Sequence, residues 1–171
     1  MAISNRLKTI AELVTPGYRA ADIGTDHGYV PIYLLRNGNS SYVIAADLSP
    51  GSLEKAREHA DRAGFLLDPE TDSSEGMQKR GIECRLSDGL AEIDPGEVDS
   101  IILSGMGGIL MDRILRAGME VVQTARELIV SPHRDVELLR AFADEYGYEI
   151  VQDLELTDKK KRYHILKIRI R

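Results

Sequence analysis

Asp22 and Asp26 lie in the segment Ala21-Asp22-Ile23-Gly24-Thr25-Asp26-His27-Gly28-Tyr29-Val30-Pro31. Residues 18–23 read as a short buried strand and residues 30–35 as the start of a helix, which puts the acids and glycines on the loop between them. Glycines let a ligand approach the backbone, and a helix start offers free N–H groups, so this loop suits a nucleotide-type ligand. Asp26 stands where a dinucleotide-binding loop would carry another glycine. A carboxylate there repels pyrophosphate and favours a cation. Asp47 ends the apolar run from Val43, followed by Leu48. It falls about 20 residues after Gly28, close to the offset of a ribose-binding acid in such units. Asp88-Gly89 closes a third strand, Ser104-Gly105-Met106-Gly107-Gly108 a fourth, and Ser131-Pro132-His133-Arg134 a fifth.

The elements that must carry these loops follow from periodicity. Ser4 caps a first helix whose apolar face is Leu7, Ile10, Ala11 and Val14, with Arg6, Lys8 and Glu12 off that face. Residues 42–47 form the second strand. Ser49-Pro50 starts a helix with a capping serine and proline at its first position. Residues 65–80 are polar and turn-rich and read as an exposed, mobile insertion. Ile82, Cys84 and Leu86 alternate with charged residues as a strand does, and residues 98–103 look buried on both faces. Helical sequence runs from Ile109 to about Ala117, and residues 128–130 make a short fifth strand. After a helix over residues 136–146, residues 148–156 and 163–169 read as two strands with a short link, hence an antiparallel hairpin. The expected fold is α/β and Rossmann-like, one domain over residues 1–171. Its seven-stranded sheet is mostly parallel with a C-terminal antiparallel strand, and helices cover both faces. Ligands in such sheets bind at the carboxyl ends of the strands, so the five loops should meet in one crevice.

Composition narrows the function classes. The net charge of −6 excludes a generally basic nucleic-acid binder, so a polyanion would have to meet a local basic patch. Cys84 is the sole cysteine, which excludes an intramolecular disulfide and a cysteine-rich metal site. No metal is expected. No apolar run approaches the roughly 20 residues that cross a bilayer, and the N-terminal residues have no secretory apolar block. The expectation is a cytoplasmic protein with no membrane partner, monomeric or dimeric.

The final hairpin points away from a nicotinamide dehydrogenase, and the order of elements resembles a Class I methyltransferase. The segments Asp22 to Pro31, Ser87 to Leu90 and Ser104 to Gly108 together resemble the bacterial tRNA adenine-N1 methyltransferases of the TrmK family, and the resemblance covers nearly the whole chain. It implies S-adenosyl-L-methionine as donor and N1 of an adenine at position 22, in the D-arm region of tRNA, as acceptor. It implies cofactor contacts from Asp22, Gly24, Thr25, Asp26, His27, Asp47, Leu48, Asp88, Gly89, Ser104, Gly105, Met106 and Gly107. In that comparison Asp22 and Asp26 face the cationic methionine part, Asp47 takes the ribose hydroxyls and Asp88 the adenine amino group. Asp26, His27 and Met106 are the candidates at the reacting centre. Members carry a helical, coiled-coil-like extension after this domain, and this chain is expected to lack it.

The chemistry asks little of a base. Adenine N1 already holds an in-plane lone pair, so alignment in a dry pocket supplies much of the acceleration. The methylated base is cationic, so a carboxylate such as Asp26 stabilises it or takes the amino proton. Pyrimidine-carbon methylation would need a cysteine nucleophile, and Cys84 falls mid-strand. Two other readings stay open on sequence alone: methylation of another or small substrate, and a non-catalytic nucleotide-binding module. The run Lys159-Lys160-Lys161-Arg162 is either a solvated hairpin turn or an RNA phosphate contact.

Overall fold

The structure, a computed structural model, describes residues 2–73 and 79–171. The elements run α1 Asn5–Leu13, β1 Ala20–Ile23, α2 Tyr29–Arg36, β2 Tyr42–Asp47, α3 Pro50–Arg62, β3 Gly81–Leu86 and β4 Ser100–Ser104. They continue with α4 Gly108–Ala117, α5 Met119–Val122, β5 Glu127–Ser131, α6 Val136–Glu145, β6 Glu149–Asp158 and β7 Lys161–Arg169. Ser4 and Ser49 cap α1 and α3 by accepting from backbone N–H groups three residues on.

The seven strands form one sheet in the order β3-β2-β1-β4-β5-β7-β6. Strands β1 to β5 pair in parallel, and β7 is antiparallel to both β5 and β6. The reversed strand is therefore the last in sequence, as the hairpin requires. Strands β1, β4 and β5 are buried along their whole length, which explains why they read as continuous apolar runs rather than alternating ones. Helices cover both faces. Met111 and Leu115 of α4, Val121 and Val122 of α5, and Leu139 and Phe142 of α6 pack with Ile23, Ile44 and Leu103 on one face. Ile10 of α1 and Leu34 of α2 pack with Val43, Ile102 and Ile129 on the other, beside Ala60 of α3 against Ala45 and Ile82.

Three expectations need adjustment. The first strand starts at Ala20, because Tyr18 is tied by its N–H to Thr15 O in the preceding turn. The hairpin link is shorter than expected: pairing runs on to Asp158 with Lys161, and only Lys159 and Lys160 make the turn. The insertion is not exposed from its start. Leu67 is buried in the main core and its N–H donates to Ile82 O, because two apolar residues at 66 and 67 extend the sheet contact beyond helix α3. The expected mobile loop falls partly on residues 74–78, which lie outside the described residues.

Candidate functional site

A parallel sheet with a strand order that reverses between β1 and β4 opens a crevice at the carboxyl ends of those strands. Asp22 is the third residue of β1 and is 2% exposed. Thr25 Oγ1 donates to its Oδ2 at 2.9 Å. Burial dominates that hydrogen bond and pushes the carboxyl up to about 7, with Asp47 and Asp26 adding repulsion. The chain then turns: the N–H groups of Gly24 and Thr25 both donate to Ala46 O on β2, each at 2.9 Å. Gly24 has φ +76°, and a Cβ there would come within 2.9 Å of the Met106 terminal methyl. The loops after β1 and β4 therefore touch at the middle of the crevice through a glycine and a methionine. Met106 otherwise packs on the main core.

Asp26 adopts φ +57° and its N–H donates to Asp47 Oδ2 at 3.0 Å, while Ser49 N–H donates to Asp47 Oδ1 at 2.9 Å. The β2 acid is thereby fixed beside the β1 loop with lone pairs to spare. Ser87 N–H donates to Asp47 O, which draws the β3 loop to the same rim. Asp88 beyond it is exposed, and with Gly89 it lines a neighbouring depression against Leu110, Arg113 and Ile114. Leu48 and Leu86, 65% and 51% exposed, stand where the β2 and β3 strands end. Leu86 continues an alternating pattern but, as the last residue of β3, is exposed, so alternation misjudges its burial.

His27 stacks on Tyr29 at 5.2 Å between ring centres, and His59 lies 5.7 Å from each. His59 Nδ1 donates to His27 O at 2.8 Å. His27 Nε2 is 3.7 Å from Asp26 Oδ2, and its Nδ1 is buried with no hydrogen-bond partner among the described residues. The loop after β5 is tied to that after β4: His133 N–H donates to Met106 O at 3.0 Å, and Gly108 N–H to Arg134 O at 2.9 Å. Gly107 lies between those two anchors. Cys84, by contrast, sits on β3, where burial pushes its thiol up to about 11, so it remains protonated at neutral pH.

One small pocket gathers much of this set. Asp22, Gly24, Thr25, Asp26, His27, Ser104 and Gly105 line it, joined by Arg6 and Leu7 of α1 and by Tyr29 and Val30 of α2. Asp47, Leu48, Met106 and Gly107 stand around it rather than in its wall. Sequence reasoning misses Arg6, Leu7, Tyr29 and Val30 as pocket residues, and of these Arg6 carries the charge. Helical spacing puts it off the apolar face of α1, and only the packing of α1 against the sheet brings it to the pocket. Its guanidinium stacks over the Tyr163 ring at 4.6 Å, and its Nη1 is buried with no partner among the described residues.

The electrostatics of the two sheet ends differ. At the amino end Asp99 is paired with Arg19, and Glu127 with Lys167. At the carboxyl end Asp22, Asp47 and Asp88 have no Lys or Arg partner among the described residues, and Asp26 faces only His27. A pocket with unpaired carboxylates and one unpaired guanidinium is complementary to a ligand that carries both charges.

Among known proteins, the chain is 31% identical over 166 residues to a tRNA (adenine(22)-N(1))-methyltransferase of Bacillus subtilis, covering 97% of this chain. The chain spans 64% of that relative's length. The crystal structure of the B. subtilis m1A22 tRNA methyltransferase TrmK superposes with a TM-score of 0.86 at 30% identity, over 99% of this chain and 67% of that one. The structure of M. capricolum TrmK in complex with S-adenosyl-homocysteine superposes with a TM-score of 0.83 at 25% identity, over 99% and 69%. The family model described as a methyltransferase domain matches residues 3–166. With that match across nearly its whole length, the chain belongs to the methyltransferase domain family.

Proposed function

We propose that the chain, as one catalytic domain, transfers a methyl group from S-adenosylmethionine to N1 of an adenine in tRNA, at the position named for the B. subtilis relative. The observation that carries the reading is the pocket that buried Asp22 and Arg6, with its partnerless Nη1, line together. The residues fit the donor. Its methionine part carries an ammonium, a carboxylate and a sulfonium, so Asp22 and Asp26 suit the cationic groups and Arg6 the carboxylate. Gly24, Thr25, His27, Ser104 and Gly105 form the wall around that part, and Asp47 keeps acceptor capacity for ribose hydroxyls. Leu48, Asp88 and Gly89 lie on the side suited to the adenine, Leu48 offering an exposed apolar surface and Asp88 a carboxylate.

When bound, the donor supplies an electrophilic methyl group on its sulfonium. The protein's share is to hold the acceptor base in line and to keep water out. Met106 and Gly107, between the anchored loops, border the space left for that base. Asp26, 69% exposed at its side chain, lies on the open side of the pocket, where it offsets the positive charge that the base gains. His27 is held by its ring stack, with Nε2 3.7 Å from that carboxylate. A base inside folded RNA must leave its stack to reach this depth. The reading carries a cytoplasmic location with it, because tRNA is the acceptor.

The test is incubation of the chain with unmodified tRNA transcripts and methyl-labelled donor, followed by nucleoside analysis. N1-methyladenosine is expected. Donor binding without any RNA product at high enzyme concentration would favour a small acceptor instead, and stabilisation by NAD but not by S-adenosylmethionine would end the methyltransferase reading.

A further inference from the structure

The sheet divides the rim into two halves. The donor-facing loops follow β1, β2, β3 and β4, while β5, β7 and β6 form the other half. On that second half a hairpin projects past the rim. The last pairing of β5 with β7 is Val130 with Leu166, yet β7 starts at Lys161 and pairs with β6 all the way to Asp158. Residues 161–165 thus run on for about 16 Å beyond the parallel strands.

The tip is strongly basic in a chain of net charge −6. Lys159, Lys160, Lys161 and Arg162 are all exposed. Arg162 pairs with Glu155 at 2.9 Å, but the three lysines have no carboxylate partner among the described residues. Lys159 and Lys160 also occupy left-handed backbone, with φ +49° and +67°. A two-residue turn of this kind favours Asn-Gly, so lysine at both places works against the local backbone. The root of the hairpin is joined to the pocket. Tyr163 lies under Arg6, a pocket residue, and its ring centre is 6.1 Å from that of His133 in the loop after β5.

We propose that Lys159, Lys160 and Lys161 form an RNA-backbone contact on the acceptor side of the crevice, with the hairpin acting as an arm that bears on phosphates flanking the target base. The proposal rests on the tRNA reading above and adds the surface that would hold the RNA. Phosphate neutralisation by lysine is sequence-independent and releases counterions, so the contact has a salt signature. An anionic lipid surface is the competing occupant. Against it, the tip is a narrow two-residue turn with no exposed large apolar side chain beside it to enter a bilayer.

The test uses the full chain and a triple variant, Lys159→Asn, Lys160→Gly and Lys161→Gln, which removes the charge while giving the turn residues its backbone favours. Binding of fluorescent unmodified tRNA is measured by anisotropy against KCl concentration. The variant's plot of log affinity against log salt is expected to flatten by about 2 to 3, with affinity lower by roughly tenfold or more at low salt. Its Tm should equal or exceed the parent's, and its Tm shift with S-adenosylmethionine should be unchanged. An unchanged slope and affinity overturns the proposal, as does a parent that binds phosphatidylserine vesicles through these lysines but no tRNA. If the parent methylates tRNA and the slopes agree, the hairpin contact fails while the tRNA reading stands. If the slopes differ as expected and no adenine is methylated, the contact stands and the substrate reading fails.

Discussion

Replacing Asp22 by asparagine separates the cost of a buried acid from its use. In the structure the carboxyl is almost wholly buried, with one hydrogen bond from Thr25, and burial raises it from 3.8 to about 7. The native state therefore holds a proton that the unfolded chain has already released. Between about pH 4 and pH 7 the native state binds more protons, so this group's contribution makes stability fall as pH rises, and level off above pH 7. A rise from 3.8 to about 7 corresponds to about 4 kcal/mol at pH 8. The amide of Asp22→Asn keeps the shape and never ionises. Of this, about 1.7 kcal/mol is already lost at pH 5, so urea unfolding at pH 5 and pH 8 should show the variant gaining on the parent by about 2.7 kcal/mol at the higher pH, in the absence of donor. Burial opposes ionisation of Glu83 and Glu97, but hydrogen bonds from Tyr42 and Arg85 to Glu83 and from Arg85 to Glu97 outweigh it and hold both carboxyls below the usual range; they act at lower pH and equally in both proteins, so the comparison cancels them. Donor affinity should move the other way. A charge-assisted bond to the ammonium contributes roughly 1.5–3 kcal/mol, so the variant should bind roughly 10- to 150-fold more weakly by calorimetry. In the parent, donor binding at pH 6 should release a proton, because the ligand draws Asp22 into its ionised form. Parallel pH profiles of stability for the two proteins would refute the burial argument, and equal donor affinity would refute the pocket assignment.

Other substitutions probe the remaining parts of the rim. Arg6→Ala should weaken S-adenosylmethionine binding by roughly tenfold, with Arg6→Lys recovering only part of it because the paired N–H fork is lost; equal calorimetric affinities for all three would remove Arg6 from the site. Asp47→Ala should weaken donor binding and also loosen the β1 loop, which loses the acceptor of the Asp26 N–H; faster hydrogen exchange at residue 26 should accompany it. Asp26→Ala should lower turnover more than donor affinity, and a variant with full kcat would exclude it from the reacting centre. Gly108→Ala puts a Cβ 2.3 Å from Asp135 O and 2.9 Å from Arg134 O, both backbone atoms. Overpacking of this kind costs about 1–3 kcal/mol, so denaturant unfolding should report that loss, and an unchanged midpoint would deny the contact between the β4 and β5 loops.

The fold was readable because its signals are local. Ser4 and Ser49-Pro50 mark helix starts, buried strands announce themselves as apolar runs, and a hairpin near the C-terminus requires that one of β6 and β7 reverse. The rim was readable for the same reason: Asp22 is next to last in β1, Asp47 ends β2 and Asp88 lies two residues past β3, and topology gathers strand ends. Three things were hidden. Arg6 lies on the polar side of its helix, and nothing in α1 says that this side faces a pocket. Leu67 belongs to a stretch whose composition is that of a loop, so its burial depends on Ile82 across the sheet. The division of the acids between a small pocket and a neighbouring depression is a matter of tertiary distance, which spacing does not encode.

The same distances decide how the site can work. The Gly24–Met106 contact places the β1 and β4 loops against each other, so both loops border the same pocket. Through Met106 O and Arg134 O the β4 loop is fixed to the loop after β5, and through His133 that loop meets Tyr163 of the hairpin. On the proposed reading, an acceptor held at the hairpin would be linked by this run of contacts to the wall of the pocket that Asp22 and Arg6 line. The backbone bonds between the β4 and β5 loops fix their relative position, which suits an in-line transfer when no strong base contributes. Glycine stands at residues 24 and 108 for different reasons: Gly24 adopts left-handed backbone at φ +76°, while at Gly108 two loops approach more closely than any Cβ allows.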